Sequence, residues 1–252
     1  MTPSKLTVRG NVYAIERMGM FDGPGVRYVL FLQGCPFKCK FCHNRDSWST
    51  ADNKIMTVEE VIRDYKKYQA FYKKGGITVS GGEPLLQLDF LIALFETCQA
   101  EGIHTTLDTS GGLFTLANKE KYDALLKVTN LVLLDIKHID NEEHKALVGT
   151  QNTHILDFAR HLSEHKIPTY IRHVLIPGIT LDAYYLEKLR AFLDTLTNVV
   201  KIEILPYHTK GIRKWKALGL EYPLSGSREP TKEEVRFAEN ILIKDYHFAR
   251  YE

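Results

Sequence analysis

Three of the four cysteines of this chain fall within eight residues, at Cys35, Cys39 and Cys42. Thiolates spaced four and three residues apart can converge on one inorganic core when the loop that carries them makes a single turn. Zinc in a structural site needs four ligands, and the nearest fourth candidate is His43. An iron-sulfur cluster is held by cysteine thiolates, and three of them leave one iron open to a substrate. The spacing therefore predicts a metal or redox site, with zinc and iron-sulfur as alternatives.

Other polar residues cluster where predicted strands end. Such clusters occupy positions 34–44, 80–84, 108–111, 135–137, 172–173 and 206–208. In parallel α/β folds the carboxyl ends of the strands lie on one face, where ligands bind. We therefore expect one site built from six loops.

Strands and helices alternate along the chain and position these loops. Branched and aromatic residues predict strands at 26–33, 77–80, 104–108, 131–136, 169–176 and 200–205. Apolar spacing and two capping boxes, Thr57 with Glu60 and Thr231 with Glu234, predict helices at 58–74, 87–100, 119–128, 155–166, 183–196 and 232–245. The alternation predicts an α/β fold, a partial (β/α)6 TIM-like barrel with parallel strands and outer helices. A doubly wound open sheet is the alternative.

Composition narrows the class of protein. The chain has 252 residues, 44% hydrophobic and 25% charged, which excludes a disordered or collagen-like chain. No linker or repeat marks a boundary, so we expect a single domain over residues 1–252. The net charge of +2 does not favour a nucleic-acid partner. No apolar run reaches the ~18 residues that a membrane span needs, so we expect a cytoplasmic protein without a membrane partner.

Two motifs together carry a family resemblance. The C-x3-C-x-aromatic-C pattern from Cys35 to Cys42, followed after the next strand by Gly81-Gly82-Glu83-Pro84, resembles the two signatures of the radical S-adenosylmethionine superfamily. Further segments resemble the family of pyruvate formate-lyase activating enzymes, at positions 22–27, 42–46, 107–109, 134–137 and 205–208. This resemblance extends from about Gly10 to the last predicted helix.

The resemblance implies a specific reaction. Cys35, Cys39 and Cys42 would hold a catalytic 4Fe-4S cluster, whose open iron is chelated by S-adenosylmethionine. Reductive cleavage of S-adenosylmethionine would yield a 5′-deoxyadenosyl radical, which takes a hydrogen from the Cα of a glycine in pyruvate formate-lyase under anaerobic conditions. Glycine suits this step because its Cα carries no side chain and its peptide turns freely.

The resemblance also assigns contacts to S-adenosylmethionine. They are Phe41, Cys42 and His43 beneath the adenine, Gly81, Gly82 and Glu83 near the methionyl ammonium, and Asp135, Ile136, Lys137 and His208 elsewhere on the cofactor. The residue types alone leave simpler interpretations open. The two glycines also fit a tight turn between a strand and a helix, and Glu83 could cap that helix.

Asp108, Thr109 and Asp135 offer two carboxylates and a hydroxyl, which are hard oxygen ligands. The resemblance implies a monovalent-cation site formed by these residues beside the cofactor carboxylate. The residue types by themselves favour helix N-caps. Arg172 is a further candidate, to pair with the cofactor or with a buried acid.

Electrons must come from outside the chain if the resemblance holds. The sequence lacks a C-x2-C-x2-C-x3-C-P run, so we expect an external donor, reduced flavodoxin or ferredoxin, besides the glycine loop of pyruvate formate-lyase as protein substrate. One alternative is an activase of another glycyl-radical enzyme. An alternative of a different class is a zinc-bearing structural or RNA-binding protein.

Several residues are expected to have no direct role in the site. Cys98 lies in an apolar helix pattern and is expected in the core. Six histidines stand among polar residues and are expected in solvent, at positions 138, 144, 154, 161, 165 and 247. The basic run from Lys210 to Lys216 around Trp215 is expected to grip the partner protein or the electron donor.

Overall fold

The computed structural model describes residues 4–51 and 53–251. The strands are β1 (Arg9–Gly19), β2 (Arg27–Leu32), β3 (Lys54–Thr57), β4 (Gly76–Gly81), β5 (Thr105–Thr109), β6 (Leu131–Asp135), β7 (Thr169–Leu175) and β8 (Val199–Pro206). The α-helices are α1 (Val58–Lys66), α2 (Leu88–Ala100), α3 (Lys119–Leu126), α4 (Asn141–Val148), α5 (Thr153–Glu164), α6 (Ala183–Leu193), α7 (Ile212–Ala217) and α8 (Lys232–Leu242).

The strands follow the order β3-β1-β2-β4-β5-β6-β7-β8 in one sheet. Neighbours β2 and β4, β4 and β5, and β7 and β8 run parallel, whereas β1 runs antiparallel to both β2 and β3. Strands β3 and β8 are the two edges, so the sheet is not closed. The predicted fold class, an α/β fold with a partial barrel of parallel strands and accompanying helices, is confirmed.

Strands β1 and β3 were not predicted from the sequence. Strand β1 carries Arg9, Glu16 and Arg17 and is only partly buried, with a pattern that matches neither a continuous apolar run nor a strict alternation. An antiparallel strand near the edge of a sheet can keep one side in solvent and needs no continuous apolar run.

Two helices also escaped prediction, and one is shorter than expected. Helix α1 ends at Lys66 rather than at position 74, and a 3-10 turn, Gln69–Phe71, follows it. The chain leaves the helix there and brings Tyr72 to stack on Tyr65, with ring centroids 4.9 Å apart. Helices α4 and α7 are short and lack a long apolar repeat, which is the signal that predicts helices.

The chain divides into two compact units. The first comprises the residues up to Pro36 together with Ser47–Thr109 and Leu113–Leu133. The second comprises Phe37–Asp46, Ser110–Gly112 and the residues from Leu134 onward. Among the described residues, no helix is both long enough and apolar enough to cross a membrane.

Arg27 joins three strands in the first unit. Its guanidinium is fully buried and donates hydrogen bonds to the hydroxyls of Thr78 and Thr106 at 2.9 and 2.7 Å, and to the Ile77 carbonyl at 2.6 Å. A buried charge is tolerated only when its donors are satisfied. Arg27 therefore fixes the positions of β2, β4 and β5, whose carboxyl ends carry the predicted site residues of this unit.

Candidate functional site

In the first unit, the glycine pair at the end of β4 packs directly on the backbone that leads into Cys35. Gly81 has φ +127°, and a Cβ there would lie 2.2 Å from the Leu32 nitrogen. A Cβ on Gly82 would lie 2.1 Å from the Gly34 oxygen and 3.1 Å from the Cys35 Cβ. The Gly82 and Glu83 amides donate to the carbonyls of Leu32 and Gly34 at 2.9 and 2.8 Å. Only glycine permits this close approach, so the motif positions the start of the cysteine loop.

Glu83 is 1% exposed, and its Oε1 atom accepts two hydrogen bonds within the first unit. It accepts a hydrogen bond from the Leu85 amide at 3.2 Å, which caps the turn Pro84–Gln87, and another from the Thr109 hydroxyl at 2.5 Å. The capping interpretation of Glu83 is confirmed. The same residue holds the end of β5 against the end of β4.

Asp108 and Thr109 lie at the carboxyl end of β5, and Asp135 lies at that of β6. Ser80 donates its hydroxyl to Asp108 at 2.8 Å in the first unit, and Lys137 lies 2.8 Å from the Asp135 carboxylate in the second. None of the three residues is a helix N-cap, because the caps after β5 and β6 are Thr115 and Asp140. The N-cap interpretation is therefore wrong, and the cation site stays a prediction.

The second unit holds the loop that carries Cys39 and Cys42. The amides of Lys38 and Lys40 donate to the carbonyls of Val148 and Leu147 at 2.8 and 3.0 Å, where α4 ends. The Cys42 amide donates to the Cys39 carbonyl at 3.1 Å, which closes a turn between the two cysteines. Backbone hydrogen bonds thus hold this loop on both sides of Cys39.

Two opposite charges, those of Lys137 and Asp135, lie beside Cys39 in the second unit. Burial raises the pKa of the Cys39 thiol to about 11, although Lys137 acts in the opposite direction. Burial lowers the pKa of Lys137, but Asp135 and the sulfur of Cys39 outweigh it and hold that pKa above its ordinary value. The Lys137 ammonium also lies 5.6 Å from the ring centre of Phe41. A half-buried ammonium whose pKa is raised in this way is suited to an anionic group of a ligand.

His43 and His208 lie together in the second unit. The sequence did not predict a contact between them. Their rings stack with centroids 4.3 Å apart, and the His43 Nε2 lies 3.4 Å from the His208 carbonyl oxygen. The His208 Nδ1 is buried and has no hydrogen-bond partner in the structure. A ligand that donates a hydrogen bond or accepts one would satisfy this nitrogen. The role of His208 as a contact residue stays a prediction.

Helix α7 supplies residues that sequence reasoning did not assign to the site. The Trp215 indole nitrogen donates to the Cys42 carbonyl at 2.9 Å, and the Lys214 ammonium donates to the Asn44 side chain at 3.0 Å. The Asn44 amide in turn donates to the Cys42 sulfur at 3.3 Å. The only sequence feature that pointed to these residues was a tryptophan inside a basic run, and this feature does not reveal that Trp215 contacts the Cys42 carbonyl.

Three other residues have structural roles. Arg172 lies 2.8 Å from the Glu203 carboxylate. Of its two predicted partners, the cofactor and a buried acid, the structure therefore shows an acid that is partly buried. Ile136 is fully buried, and its backbone is held by Arg172 and His173 of β7. Cys98 is fully buried in α2, as expected of a core cysteine.

The donor set fits an iron-sulfur cluster better than a zinc ion. Cys35, Cys39 and Cys42 are all free thiols. Metal binding removes the thiol proton, which offsets the high pKa that burial gives Cys39. Backbone N–H groups directed at cysteine sulfurs tune iron-sulfur clusters, and the Asn44 amide is directed at the Cys42 sulfur in this way. His43 is stacked on His208, which leaves the zinc interpretation without a freely oriented fourth ligand.

Comparison with known proteins agrees with this chemistry. The model of the Radical SAM superfamily matches residues 29–188. The chain is 48% identical over 239 residues to the pyruvate formate-lyase-activating enzyme of Listeria monocytogenes, across 93% of this chain and 96% of that protein. It is 49% identical over 236 residues to the corresponding protein of Staphylococcus epidermidis, across 92% and 94% of the two chains.

Solved structures show the same fold. A domain of pyruvate-formate lyase-activating enzyme from Bacteroides vulgatus aligns with a TM-score of 0.55 and 32% identity, and covers 67% of this chain and 92% of that one. SuiB of Streptococcus suis, bound to the precursor peptide SuiA, aligns with a TM-score of 0.61 over 82% of this chain and 44% of that one. At 14% identity, this second likeness concerns the fold alone.

The chain belongs to the radical S-adenosylmethionine superfamily and, within it, to the family of pyruvate formate-lyase-activating enzymes. It is an enzyme, and its cofactors are a 4Fe-4S cluster and S-adenosylmethionine. The family resemblance found in the sequence is confirmed.

Proposed function

We propose that this enzyme activates pyruvate formate-lyase under anaerobic conditions by generating a glycyl radical on it. One observation carries the proposal: the 48% identity to an activating enzyme of that name runs across 93% of this chain and 96% of the relative. The agreement is therefore not confined to the part of the fold that all superfamily members share. An activase of another glycyl-radical enzyme is the second candidate.

Cys35, Cys39 and Cys42 are the residues that hold the 4Fe-4S cluster in this proposal. When bound, the cluster supplies one electron that cleaves S-adenosylmethionine, and the resulting 5′-deoxyadenosyl radical takes a hydrogen atom from the glycine Cα of the partner. The chain's own residues bind and orient the cluster and S-adenosylmethionine and shield them from solvent. Gly81, Gly82 and Glu83 fix the backbone beside Cys35, and the loop up to His43 is fixed by α4 and α7.

The remaining predicted contacts have a physical basis in charge and shape. The Lys137 ammonium would attract a carboxylate or ribose oxygen of S-adenosylmethionine, and Asp135 holds that ammonium in place. Phe41 and His43 offer flat side chains for the adenine. Ile136 and His208 complete the set of proposed contacts. Asp108, Thr109 and Asp135 are proposed to hold a monovalent cation through their oxygen atoms.

We infer the partners and the compartment from the same reaction. The protein substrate is the glycine loop of pyruvate formate-lyase, and the electron comes from reduced flavodoxin or ferredoxin. The reaction requires neither nucleic acid nor membrane, and it suits the cytoplasm, where thiols stay reduced. A single radical S-adenosylmethionine domain over residues 1–252 remains part of this proposal.

Electron paramagnetic resonance provides the deciding test. Protein purified without oxygen is reduced and mixed with S-adenosylmethionine and pyruvate formate-lyase, and a glycyl radical signal is expected on the partner. A signal on a different glycyl-radical enzyme, and none on pyruvate formate-lyase, would shift the assignment to the second candidate. A colourless protein that contains zinc and lacks iron and sulfide would refute both.

A further inference from the structure

Helix α7 and the turn before it present a row of unpaired positive charges to solvent. Residues 210–216 include four cations and no acid. Lys210, Arg213 and Lys216 are exposed, and none has a salt bridge among the described residues. Spaced three residues apart, Arg213 and Lys216 lie on one face of the helix, and Lys210 precedes them by the same interval. We call these three residues the α7 cationic face.

The opposite side of the same helix contacts the cysteine loop. Trp215 is 6% exposed and donates to the carbonyl of Cys42, and Lys214 lies 3.3 Å from the Asp46 carboxylate. A single helix, ~10 Å across with its side chains, therefore separates the α7 cationic face from the backbone of Cys42. All of these residues belong to the second unit.

We propose that the α7 cationic face docks an acidic electron-transfer protein, whose reduced cofactor supplies an electron to the cluster. This inference rests on the proposed function. One electron leaves the donor's flavin or iron-sulfur centre and enters the cluster held by Cys42 and its two companions, with no transfer of atoms. The fourth cysteine of the chain, Cys98, is isolated and fully buried, so the chain offers no second cysteine cluster to store that electron.

The choice of occupant follows from charge and from position. A glycine that loses a hydrogen atom must reach the cofactor itself, whereas an electron can cross a thin layer of protein. The outer surface of α7 therefore suits the electron donor better than the protein substrate. Three cations steer an acidic partner to this face, and the exposed Leu218 and Leu220 beside it provide apolar contact.

Charge reversal tests the proposal in the complete, cluster-loaded enzyme. One variant carries Lys210→Glu, Arg213→Glu and Lys216→Glu together. A matched control carries Lys119→Glu, Lys121→Glu and Lys127→Glu, which are exposed lysines in and after α3 with the same change in net charge. Cleavage of S-adenosylmethionine is measured with dithionite as the reductant and, separately, over a range of reduced flavodoxin concentrations and salt concentrations.

We expect all three proteins to cleave S-adenosylmethionine equally with dithionite. With flavodoxin, the α7 variant should need at least ~10-fold more donor for half-maximal rate, and its rate should lose the salt dependence of the wild type. Equal donor requirements in the α7 variant and the control would overturn the proposal. Loss of RNA binding in the α7 variant, with an unchanged donor requirement, would overturn it in favour of a nucleic-acid surface. If the wild type fails even with dithionite, the proposed function itself fails, and the two failures are thus distinguished.

Discussion

Surroundings distinguish the thiol of Cys98 from those of Cys39 and Cys42. Cys98 is fully buried among apolar side chains of α2, and burial raises its pKa well above the ordinary value. Cys39 is also buried, but it lies beside the Lys137 ammonium, and the neighbouring Cys42 sulfur accepts a hydrogen bond from the Asn44 amide. Cations and N–H groups stabilise thiolates, and apolar walls do not. Residue environment thus agrees with the division that spacing predicted.

Single alanine substitutions test this division. Replacing Cys35, Cys39 or Cys42 by Ala should abolish cleavage of S-adenosylmethionine, because two thiolates cannot hold the cluster in a competent form. Cys98→Ala should retain cleavage and lose about 1 kcal/mol of stability through the small cavity it leaves. The measurements are iron content per chain and release of 5′-deoxyadenosine. Retained cleavage in Cys39→Ala would contradict the ligand assignment.

A glycine substitution tests how the cysteine loop is positioned. In Gly82→Ala the new Cβ would lie 2.1 Å from the Gly34 oxygen, so the backbone that leads into Cys35 must move. We expect a stability loss of ~1–3 kcal/mol and a lower iron content per chain. Gly226→Ala is the control, since a Cβ there meets no atom within 4 Å. Normal iron content in Gly82→Ala would show that the close packing does not position Cys35.

At this scale the sequence reveals residues whose chemistry is local. Cysteine spacing and the Gly-Gly-Glu-Pro motif predict which residues surround the cluster without any structure. Trp215 could not be found in this way, because its hydrogen-bond partner, the carbonyl of Cys42, is 173 positions away. The role of Glu83 remained undecided for the same reason, since its second partner, Thr109, belongs to a different strand.

Among the secondary-structure elements, α4 and α7 have an importance that their length does not suggest. Helix α4 receives the amides of Lys38 and Lys40 at its last residues, and α7 donates to the carbonyl of Cys42. Two short helices from the second half of the chain thus fix a loop that has almost no regular structure of its own. The positions of these helices therefore help to decide where Cys39 and Cys42 lie.

Trp215→Phe tests the contribution of α7. The substitution keeps an aromatic ring in place but removes the donor to the Cys42 carbonyl, a hydrogen bond worth about 1 kcal/mol. We expect iron to be lost about fivefold faster when a chelator is added. Tyr246→Phe is a matched control, since it removes a buried hydrogen bond to the Leu193 carbonyl, and its ring lies against Arg190 and Phe248, outside the cysteine loop. Equal rates of iron loss in the two variants would mean that α7 does not hold the loop.

Helices and strands marked by a local sequence pattern, such as a capping box or an apolar run, were predicted well. The capping boxes at Thr57 and Thr231 are both present, and α1 and α8 begin where those motifs place them. The predicted parallel strands are found with boundaries within a few residues. Strands β1 and β3 were missed because antiparallel pairing, rather than an apolar run, stabilises them. Tertiary contacts decide such elements, and a local pattern does not contain them.

For the whole molecule, the placement of histidines corrects an expectation from the sequence. His154, His165 and His247 are exposed as predicted, but His138, His144 and His161 are buried, so the prediction for these three is wrong. Polar neighbours along the chain do not reveal which side of a helix faces the core. Burial lowers the pKa of His144 and of His173 to about 4, and burial with the nearby Arg27 charge does the same for His104. Both units therefore contain histidines that are neutral when folded.

Neutral buried histidines make the stability of the enzyme depend on pH in a definite direction. In the unfolded chain a histidine has a pKa of about 6.5, so it takes up a proton that His144 refuses in the folded state until about pH 4. The stability that neutral His144 contributes is thus fully present above its pKa in the unfolded chain. It falls as the pH drops from there toward the pKa of His144 in the folded protein. Each such histidine should lower the free energy of unfolding by about 1 kcal/mol when the pH falls from about 7.5 to about 5.5.

His144→Gln isolates one of these contributions. Its amide can still donate to the Thr150 carbonyl, which the His144 ring contacts at 2.7 Å, but it cannot titrate. Urea unfolding of the cluster-loaded protein, followed without oxygen at both pH values, should show a drop in stability smaller than that of the wild type by about 1 kcal/mol. His154→Gln, at an exposed position, should show the full drop. If His144→Gln loses as much stability as the wild type, then His144 takes up a proton without leaving the folded state, and its burial does not make the molecule sensitive to acid.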